Sequence, residues 1–513
     1  MTTDPAPDLA PLPPPPLAGM GTSLPPRIPD RGSRTAAALA WVVLIAITLT
    51  TLILQQTKVF QSTPEAVPSA KPEHAETPKR ELRAEHDYTP EDGGIRTLQY
   101  KLLMKMRDTG EVSEAIDHER ANIAKGDDLS RTRLALVDAA VTSVKDPGHA
   151  AAPLDAAAEV VEVQILKQDL ATASAIYAAG SLKAAQEAGL AGESIRGFRA
   201  RHGVFADVAL WYGDPQFADA RFAQLSGGVF LITASIVLLG VVALAVAAGV
   251  VLLVVGLSGS FGRSLSSRAV SGLIPPAPGG SLPLETAAFF VLNFLVIEKW
   301  IPALLIDRDI PGVEIYGVLA PWLLTALVVA YPFLRGASWQ EVRLAVGLHA
   351  GRGVAREMGI GILSWIATLP LMAAAIAVSL GAMLLYKFLT DGVEPRNPVA
   401  EMLTGLEGWH LVMLVLLLVV WAPFTEEFVF RGCLLRQLRI RLGPVLAGVL
   451  SALCFTIMHG YAFFLLLPVF TLGLSFALVR NWRGSLIPSM TAHALNNGLV
   501  AILLITLFKV ILA

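Results

Sequence analysis

A group of polar residues interrupts the apolar stretches in the C-terminal part of the chain, and the residue types suit hydrolysis. The group comprises Glu426, Glu427, Arg431, His459, His493 and Asn497. A charged residue at the centre of a bilayer costs about 2.5–3.5 kcal/mol on insertion scales, so such residues should face a protein interior or a wet cavity. Because a carboxylate can act as a general base on water, and imidazole and amide groups can move its proton or stabilise an oxyanion, we interpret the group as a candidate hydrolytic site.

The spacing of the two glutamates assigns them different roles. Residues four apart lie on one face of an α-helix, so Glu427 and Arg431 are predicted to form an ion pair. Glu426 lies well around the helix from Arg431, which makes it the freer carboxylate. We therefore predict that Glu426 activates the water and that Glu427 and Arg431 support it.

The later helices carry two further pairs at the same spacing. Phe455 and His459 share one helical face, and His493 and Asn497 share another. We predict that His459 shares the water with Glu426 and that Phe455 is a supporting residue of the site. His493 and Asn497 are predicted to donate hydrogen bonds to the developing oxyanion.

Metal binding and helix packing compete with metal-free hydrolysis as roles for these residues. Two histidines and a glutamate form a zinc-type ligand set, but the chain has no His-Glu-x-x-His motif and each histidine lies on its own helix. We therefore predict no metal and no other cofactor, with zinc as the alternative. Helix packing alone would account for any one pattern, since buried Glu–Arg pairs and lone intramembrane histidines serve that purpose, but three patterns on successive helices favour a site.

The composition indicates the class of protein that must position these residues. The chain has 513 residues, of which 54% are hydrophobic and 16% charged, and its mean hydropathy is +0.58. This is typical of an all-α polytopic membrane protein. The formal net charge of −2 gives no indication of a nucleic-acid partner.

Apolar stretches and basic loops predict about nine transmembrane helices. The predicted spans are 35–54, 226–257, 284–306, 313–334, 358–386, 408–430, 443–459, 461–480 and 486–508. Arginines gather in alternate loops, which places the N-terminus in the cytoplasm and the C-terminus outside. The amphipathic stretch 338–361 is predicted to be an interfacial helix that leads into the next span.

The remaining boundaries divide the chain into five parts. We predict a disordered proline-rich cytoplasmic tail over 1–34, a transmembrane anchor over 35–55 and a soluble, helical, extracytoplasmic domain over 56–224. A transmembrane helix and a cytoplasmic loop follow over 225–283. The candidate hydrolytic site lies in the last part, 284–513, which is predicted to be a helical membrane domain.

The three motifs together resemble a known family. Glu426-Glu427-x-x-x-Arg431, Phe455-x-x-x-His459 and His493-x-x-x-Asn497, in this order, are similar to the motifs of the CPBP family of intramembrane proteases. This family, also called Abi, includes CAAX proteases and bacteriocin-processing enzymes. The resemblance covers roughly 358–508 and begins near 284 at its widest.

The resemblance implies a helical membrane fold with a glutamate-dependent endopeptidase site. It implies that Glu426 activates water with help from His459, and that His493 and Asn497 stabilise the oxyanion. The expected partners are the lipid bilayer, a peptide or membrane-protein substrate and a protein bound by the domain 56–224. The expected location is the cell membrane, specifically a bacterial inner membrane. Three alternatives to a protease are a non-catalytic membrane adaptor, a bacteriocin self-immunity protein and a transporter.

Overall fold

The computed structural model describes eight parts of the chain. These are residues 30–61, 95–108, 112–123, 127–266, 272–295, 313–389, 408–461 and 466–506. Within these ranges the regular structure is helical, and a single isolated bridge between Pro278 and Gly280 is the only β-type pairing. The all-α prediction is therefore confirmed. Residues 1–29 of the predicted tail, residues 62–94 of the predicted soluble domain and the ends of several predicted spans lie outside the described residues.

The first membrane helix is followed by a separate helical domain. Helix α1 covers Arg34–Gln61. The domain contains α2 Ile95–Lys105, α3 Val112–Asn122, α4 Asp128–Lys145, α5 Ala152–Val160, α6 Gln164–Ala179, α7 Leu182–Glu187, α8 Gly192–His202, α9 Val204–Leu210 and α10 Ala218–Gln224. Its apolar residues recur at helical spacing, and they meet in one core that runs from Tyr100 to Leu225.

One buried polar cluster stabilises this domain. Asp169 on α6 accepts hydrogen bonds from Arg201 at 2.6 and 2.8 Å and from His202 at 3.0 Å. Burial alone would raise the pKa of Asp169, but the hydrogen bonds from Arg201 and His202 hold that pKa below its usual value. Burial lowers the pKa of His202 in spite of the neighbouring carboxylate, so its imidazole is neutral in the folded domain.

The membrane part contains ten helices within the described residues. They are α11 Gly228–Ser258, α12 Ser260–Ser266, α13 Leu282–Leu295, α14 Val313–Leu334, α15 Trp339–Val346, α16 Val354–Leu389, α17 Gly408–Leu438, α18 Pro444–Ile457, α19 Leu466–Arg483 and α20 Ile487–Ile505. The chain is thus a polytopic membrane protein.

The predicted number of nine spans is not confirmed. Among the described residues, five helical stretches are long and apolar enough to cross a membrane: Arg34–Ile53, Pro215–Ser258 (which contains α11), Val354–Tyr386, Gly408–Leu438 and Ile487–Ile505. The apolar parts Leu282–Phe294, Pro321–Leu334 and Pro444–Ile457 are shorter. At 1.5 Å per residue, a helix of 14 residues is about 21 Å long, less than the hydrocarbon thickness of about 30 Å.

Helix α17 lies at the centre of the membrane part. Its second half packs against α13, α15, α18 and α19, and its first half packs against α20. Every residue from Glu427 to Leu434 is buried. The polar residues of this helix therefore face other helices, which is the arrangement that the cost of lipid exposure predicts.

Hydrogen bonds join the basic loops into a layer at one end of the bundle. The backbone N–H groups of Ser281 and Leu282 both donate to the carbonyl of Arg31 at 2.9 Å. The N–H of Leu273 donates to the carbonyl of Asn481 at 3.2 Å. These contacts bring the segment before α1, the loop before α13 and the last turn of α19 to the same side of the molecule.

The end of the predicted disordered tail is ordered in the structure. Asp30 forms an ion pair with Arg436 at the end of α17, and Arg31 forms one with Glu341 on α15 at 3.0 Å. The tail prediction for 1–34 is therefore wrong for residues 30–34, where Arg34 already begins α1. The proline-rich composition gave no indication of these two ion pairs, because the partners of Asp30 and Arg31 lie far along the chain.

The predicted interfacial helix over 338–361 is divided in two. Ser338 and Glu341 form a capping box that starts α15, and Gly347, with φ of 90°, ends it. A Cβ on Gly347 would collide with the Arg480 guanidinium, which donates to the carbonyl of Val346 at 2.9 Å. Only glycine fits this close approach, and α16 begins separately at Val354.

The polar cluster of the helical domain makes its stability sensitive to acid. The folded-state pKa of His202 lies below its ordinary value of 6.5, so the unfolded chain binds a proton first as the pH falls through 6.5. The folded-state pKa of Asp169 is also lowered, so this residue too makes the folded domain less stable as the pH falls below about 3.8, its ordinary pKa. As the pH falls below about 6.5, we expect the free energy of unfolding to decrease by up to about 1.4 kcal/mol per pH unit because of His202 alone.

Hydrogen–deuterium exchange of residues 127–225 in the full-length protein, corrected for intrinsic rates, measures this loss. His202→Gln should remove the dependence in this pH range, and His118→Gln, which changes an exposed histidine of the same domain, should preserve it. Equal pH dependence in the wild type and His202→Gln would contradict the assignment.

Candidate active site

The backbone of α17 departs from a regular α-helix at the two places that flank the glutamates. Leu417–Trp421 and Glu427–Leu434 form π-helical stretches, with an α-helical turn over Ala422–Glu426 between them. A π-turn shifts the hydrogen bonds from i+4 to i+5, and such turns often occur at functional sites. Glu426 therefore ends the α-helical turn, and Glu427 begins the second π-helical stretch.

Side chains from neighbouring helices bind the carbonyls of these π-helical stretches. The Asn497 amide on α20 donates to the carbonyl of Leu418 at 2.9 Å. The Ser451 hydroxyl on α18 donates to the carbonyl of Phe430 at 2.9 Å. Both bonds satisfy backbone acceptors inside the bundle, where water is scarce. They hold α17 in its irregular form.

Glu427 and Arg431 form the predicted ion pair at the centre of the bundle. Arg431 Nη1 lies 2.9 Å from Glu427 Oε1, and both side chains are fully buried. Arg431 Nη2 also donates to the carbonyl of Gly473 on α19 at 2.9 Å. A Cβ on Gly473 would stand 3.4 Å from Arg431 Nη2 and 3.0 Å from the Phe455 ring, so this position requires a small residue.

Aromatic rings enclose the Arg431 guanidinium. Its central carbon lies 4.2 Å from the centroid of the Phe455 ring and 5.3 Å from that of the Phe476 ring. Such contacts stabilise a desolvated cation by about 2 kcal/mol or more. Phe455, which is predicted to be a supporting residue of the site, therefore contacts Arg431.

His493 lies between the two glutamates. Its Nδ1 is 3.1 Å from Glu427 Oε1, and its Nε2 is 3.7 Å from Glu426 Oε2. Its ring stacks on Phe476 with centroids 5.0 Å apart. Glu427, ionised beside Arg431, can only accept a hydrogen bond, so His493 carries a proton on Nδ1.

Glu426 differs from Glu427 in its surroundings. Its side chain is 20% exposed, whereas that of Glu427 is fully buried. Its Oε2 atom is buried and has no hydrogen-bond partner, as is also true of Glu427 Oε2, so the two carboxylates differ in exposure and in the ion pair that Glu427 forms with Arg431. A carboxylate oxygen in this state can accept a hydrogen bond from a water molecule or a substrate.

His459 joins the site from the end of α18. Its Nδ1 lies 2.7 Å from the carbonyl of Phe455, which can only accept, so this nitrogen donates. In a neutral ring, Nε2 is then an acceptor. The His459 ring packs against Phe455 at 4.5 Å and lies 5.9 Å from the ring of Tyr461. The Phe455 ring that it contacts also contacts the ring of His493, with centroids 5.8 Å apart.

The structure thus brings the predicted residues together, but with some different contacts. Glu426, Glu427, Arg431 and His493 form one continuous group, with His459 close by. One N–H of Asn497 is used by the backbone of α17, which the sequence did not indicate. An amide nitrogen has two hydrogens, so this bond leaves one for another acceptor.

Three residues of the site have no signal in the sequence. Phe476 stacks on His493, Ser451 binds a π-helical carbonyl and Gly473 accepts the Arg431 hydrogen bond. All three lie in apolar helices as ordinary small or aromatic residues. Only the three-dimensional packing of α18 and α19 against α17 reveals their contacts.

Across the described ranges, no three His, Cys, Asp or Glu side chains are grouped in a way that could hold a metal ion. The Nδ1–H of His493 faces Glu427 at 3.1 Å, which leaves Nε2 open on the side of Glu426. A metal-binding histidine often donates its other ring N–H to a carboxylate in this way. Metal-free hydrolysis therefore stays a prediction, with zinc as the alternative.

Comparison with known proteins identifies one related family. Residues 408–499 match the family model described as Rce1-like, type II CAAX prenyl endopeptidase. The matched segment runs from the start of α17 into α20 and contains all three motifs. No curated protein and no solved structure matches the chain. The family match agrees with the resemblance to CPBP proteases and supports a peptidase in general.

The buried ion pair yields a prediction for stability. Arg431→Met leaves the Glu427 carboxylate buried without its cation, which should cost about 3–5 kcal/mol of unfolding free energy. The double variant Glu427→Gln/Arg431→Met removes both charges and should recover part of this loss. Thermal unfolding of the full-length protein in detergent measures both. Arg343→Met, on the exposed face of α15, is the control and should change the unfolding temperature little. A loss for Arg431→Met no greater than that of the control would argue against a structural role for the pair.

Proposed function

We propose that the protein is an intramembrane endopeptidase in which Glu426 activates water. The observation that carries the proposal is the buried Glu426 Oε2 atom, which lacks a hydrogen-bond partner and faces His493 Nε2 at 3.7 Å. The match of residues 408–499 to an endopeptidase family supports the same reaction. The substrate class is a peptide or a membrane-protein segment that reaches the site within the bilayer.

Glu426 is favoured over Glu427 as the base because the two carboxylates differ in their existing contacts. Glu427 Oε1 already has Arg431 at 2.9 Å and His493 at 3.1 Å. Protonating Glu427 during turnover would cost both contacts. Glu426 forms no ion pair with Arg431, and its side chain is more exposed than that of Glu427. It can therefore take up and release a proton in each cycle without losing such a contact.

In the proposed reaction, Glu426 accepts a proton from water as the water oxygen bonds to the carbonyl carbon of the scissile peptide. The carbonyl π-bond becomes the lone pair of an oxyanion. Glu426 then gives the proton to the departing amine as the C–N bond breaks, which yields a carboxylic acid and an amine. His459, whose Nε2 is an acceptor, helps to orient the water and share its proton.

The proposed oxyanion donors are His493 and Asn497. Because His493 carries its first proton on Nδ1, it can donate from Nε2 only as an imidazolium. Glu427 stabilises that cation directly at 3.1 Å. Asn497 contributes the amide hydrogen that Leu418 does not use. Removal of one oxyanion donor typically costs about 10²–10³ in kcat.

Orientation in the membrane belongs to the same proposal. The predicted cytoplasmic loops carry the arginines, and contacts between 30–33, 272–282 and 480–486 support a common side for them. We propose that this side is cytoplasmic, that the site opens towards it and that the membrane is a bacterial inner membrane. The domain over 95–225 is then extracytoplasmic.

A non-catalytic adaptor is the second candidate. The observation in its favour is the separate hydrophobic core of the domain between Tyr100 and Leu225, which could present a binding surface to a partner protein. An adaptor should keep its cellular function when Glu426 is replaced. A protease should lose it.

Glu426→Gln is expected to abolish cleavage while the protein remains folded. Gln has nearly the same shape but cannot accept the proton, so the rate should fall by about 10²–10⁴. Proteomic comparison of new N-termini in membranes with wild-type and variant protein measures the change, and Glu114→Gln on the exposed face of α3 is the matched control. Unchanged new N-termini in Glu426→Gln would favour the adaptor over the protease.

Cleavage is also expected to be insensitive to zinc chelators. The proposed base and oxyanion donors act without a Lewis acid, so 1,10-phenanthroline should leave the cleavage rate within about twofold of the untreated rate. The non-chelating 1,7 isomer is the control. A loss of activity that added zinc restores would overturn the metal-free mechanism.

A further inference from the structure

A groove lies at the basic end of the bundle, outside the candidate active site. It has a volume of about 620 Å³ and is bounded by the start of α1, the loop 278–280 and the end of α17. We name it the α1–α17 groove. Its lining residues include Arg34, Ala37, Trp41, Arg441 and Leu442.

The walls of the groove carry both cationic and apolar side chains. Arg34 opens α1 and Arg441 follows α17, and both side chains are exposed. Trp41 lies seven residues after Arg34 on the same face of α1, which places it about 10 Å further along the helix axis. A tryptophan at this depth is typical of the membrane–water interface.

The arginines around the groove differ in their ion-pair and hydrogen-bond partners. Arg31 and Arg436 are paired with carboxylates, and Arg439 donates to the carbonyl of Leu442 at 3.1 Å. Among the described residues, Arg34 has no carboxylate partner. A cation that is left unneutralised beside an open groove favours an anionic occupant.

We propose that the α1–α17 groove binds an anionic phospholipid. Its phosphate lies between Arg34 and Arg441, and its glycerol and first acyl carbons lie against Trp41 and Leu442. The combination of cationic and apolar walls fits an amphipathic ligand better than free phosphate. Basic residues near a membrane surface attract anionic headgroups in this way.

A second observation supports a lipid: the groove lies at the ends of two candidate membrane helices. Helix α1 is long and apolar enough to cross a membrane, and Arg34 is its first residue. The opposite wall belongs to α17, another candidate span. A groove between the ends of two membrane helices opens at the depth of lipid headgroups. The occupant is therefore a lipid of the surrounding leaflet.

The test adds short-chain lipids to the full-length protein in detergent and measures the unfolding temperature. Dioctanoyl phosphatidylglycerol should raise this temperature at lower concentrations than dioctanoyl phosphatidylcholine. In Arg34→Gln/Arg441→Gln the phosphatidylglycerol concentration needed for the same shift should rise about tenfold. Arg34→Lys/Arg441→Lys retains both charges and should keep the preference for phosphatidylglycerol.

Arg343→Gln/Arg352→Gln is the matched control, because it removes two exposed arginines that do not line the groove. It should behave as the wild type. Equal shifts with the two lipids, an unchanged concentration in the groove variant, or loss of the preference in the lysine variant would each overturn the proposal. If inorganic phosphate alone reproduces the shift, the site binds soluble phosphate and the lipid assignment is wrong. None of these readouts requires peptidase activity.

Discussion

The centre of the molecule depends on one carboxylate that contacts both an arginine and a histidine. Glu427 Oε1 contacts Arg431 at 2.9 Å and His493 at 3.1 Å, in a place from which water is excluded. Burying a carboxylate and a guanidinium costs several kcal/mol for each ion, and close pairing with further hydrogen bonds must offset that cost. The carbonyl of Gly473 and the rings of Phe455 and Phe476 supply these contacts. Four helices thereby pack around one ion pair, and the Oε2 atom of the neighbouring Glu426 has no hydrogen-bond partner.

The irregular backbone of α17 follows from the same requirement. A regular helix satisfies its carbonyls internally, whereas the π-helical stretches rely on Asn497 and Ser451 from other helices. An unsatisfied carbonyl in this environment would cost several kcal/mol, so α17 holds this form only while α18 and α20 are packed against it. Folding of the site and assembly of the bundle are therefore one event. Asn497 contributes to the geometry of Glu426 in addition to any contact with substrate.

The sequence predicted the helices of the membrane part well, because long apolar stretches in lipid have few other ways to satisfy their backbones. It also predicted the pair Glu427–Arg431, which depends only on local spacing. It did not predict that Glu427 also binds His493, because that contact joins residues 66 positions apart. The π-turns escaped prediction because the 100° rule assumes a regular helix. Asp30 and Arg31 were assigned to a disordered tail because local composition carries no information on Glu341 and Arg436, their distant partners.

The ion pair between Arg31 and Glu341 differs from the buried pair Glu427–Arg431 in its response to salt. Both side chains are about half exposed, so dissolved salt screens their attraction, whereas it does not reach Glu427 and Arg431. Arg31 lies just before α1, and Glu341 lies on α15, which packs against the second half of α17. The fold therefore combines a central ion pair that salt does not reach with an ion pair at the edge of the bundle that salt weakens. Helix α1 stays packed against α13 through buried residues such as Ala40 and Leu44, so ionic strength changes the Arg31–Glu341 contact without disturbing the arrangement of the two glutamates.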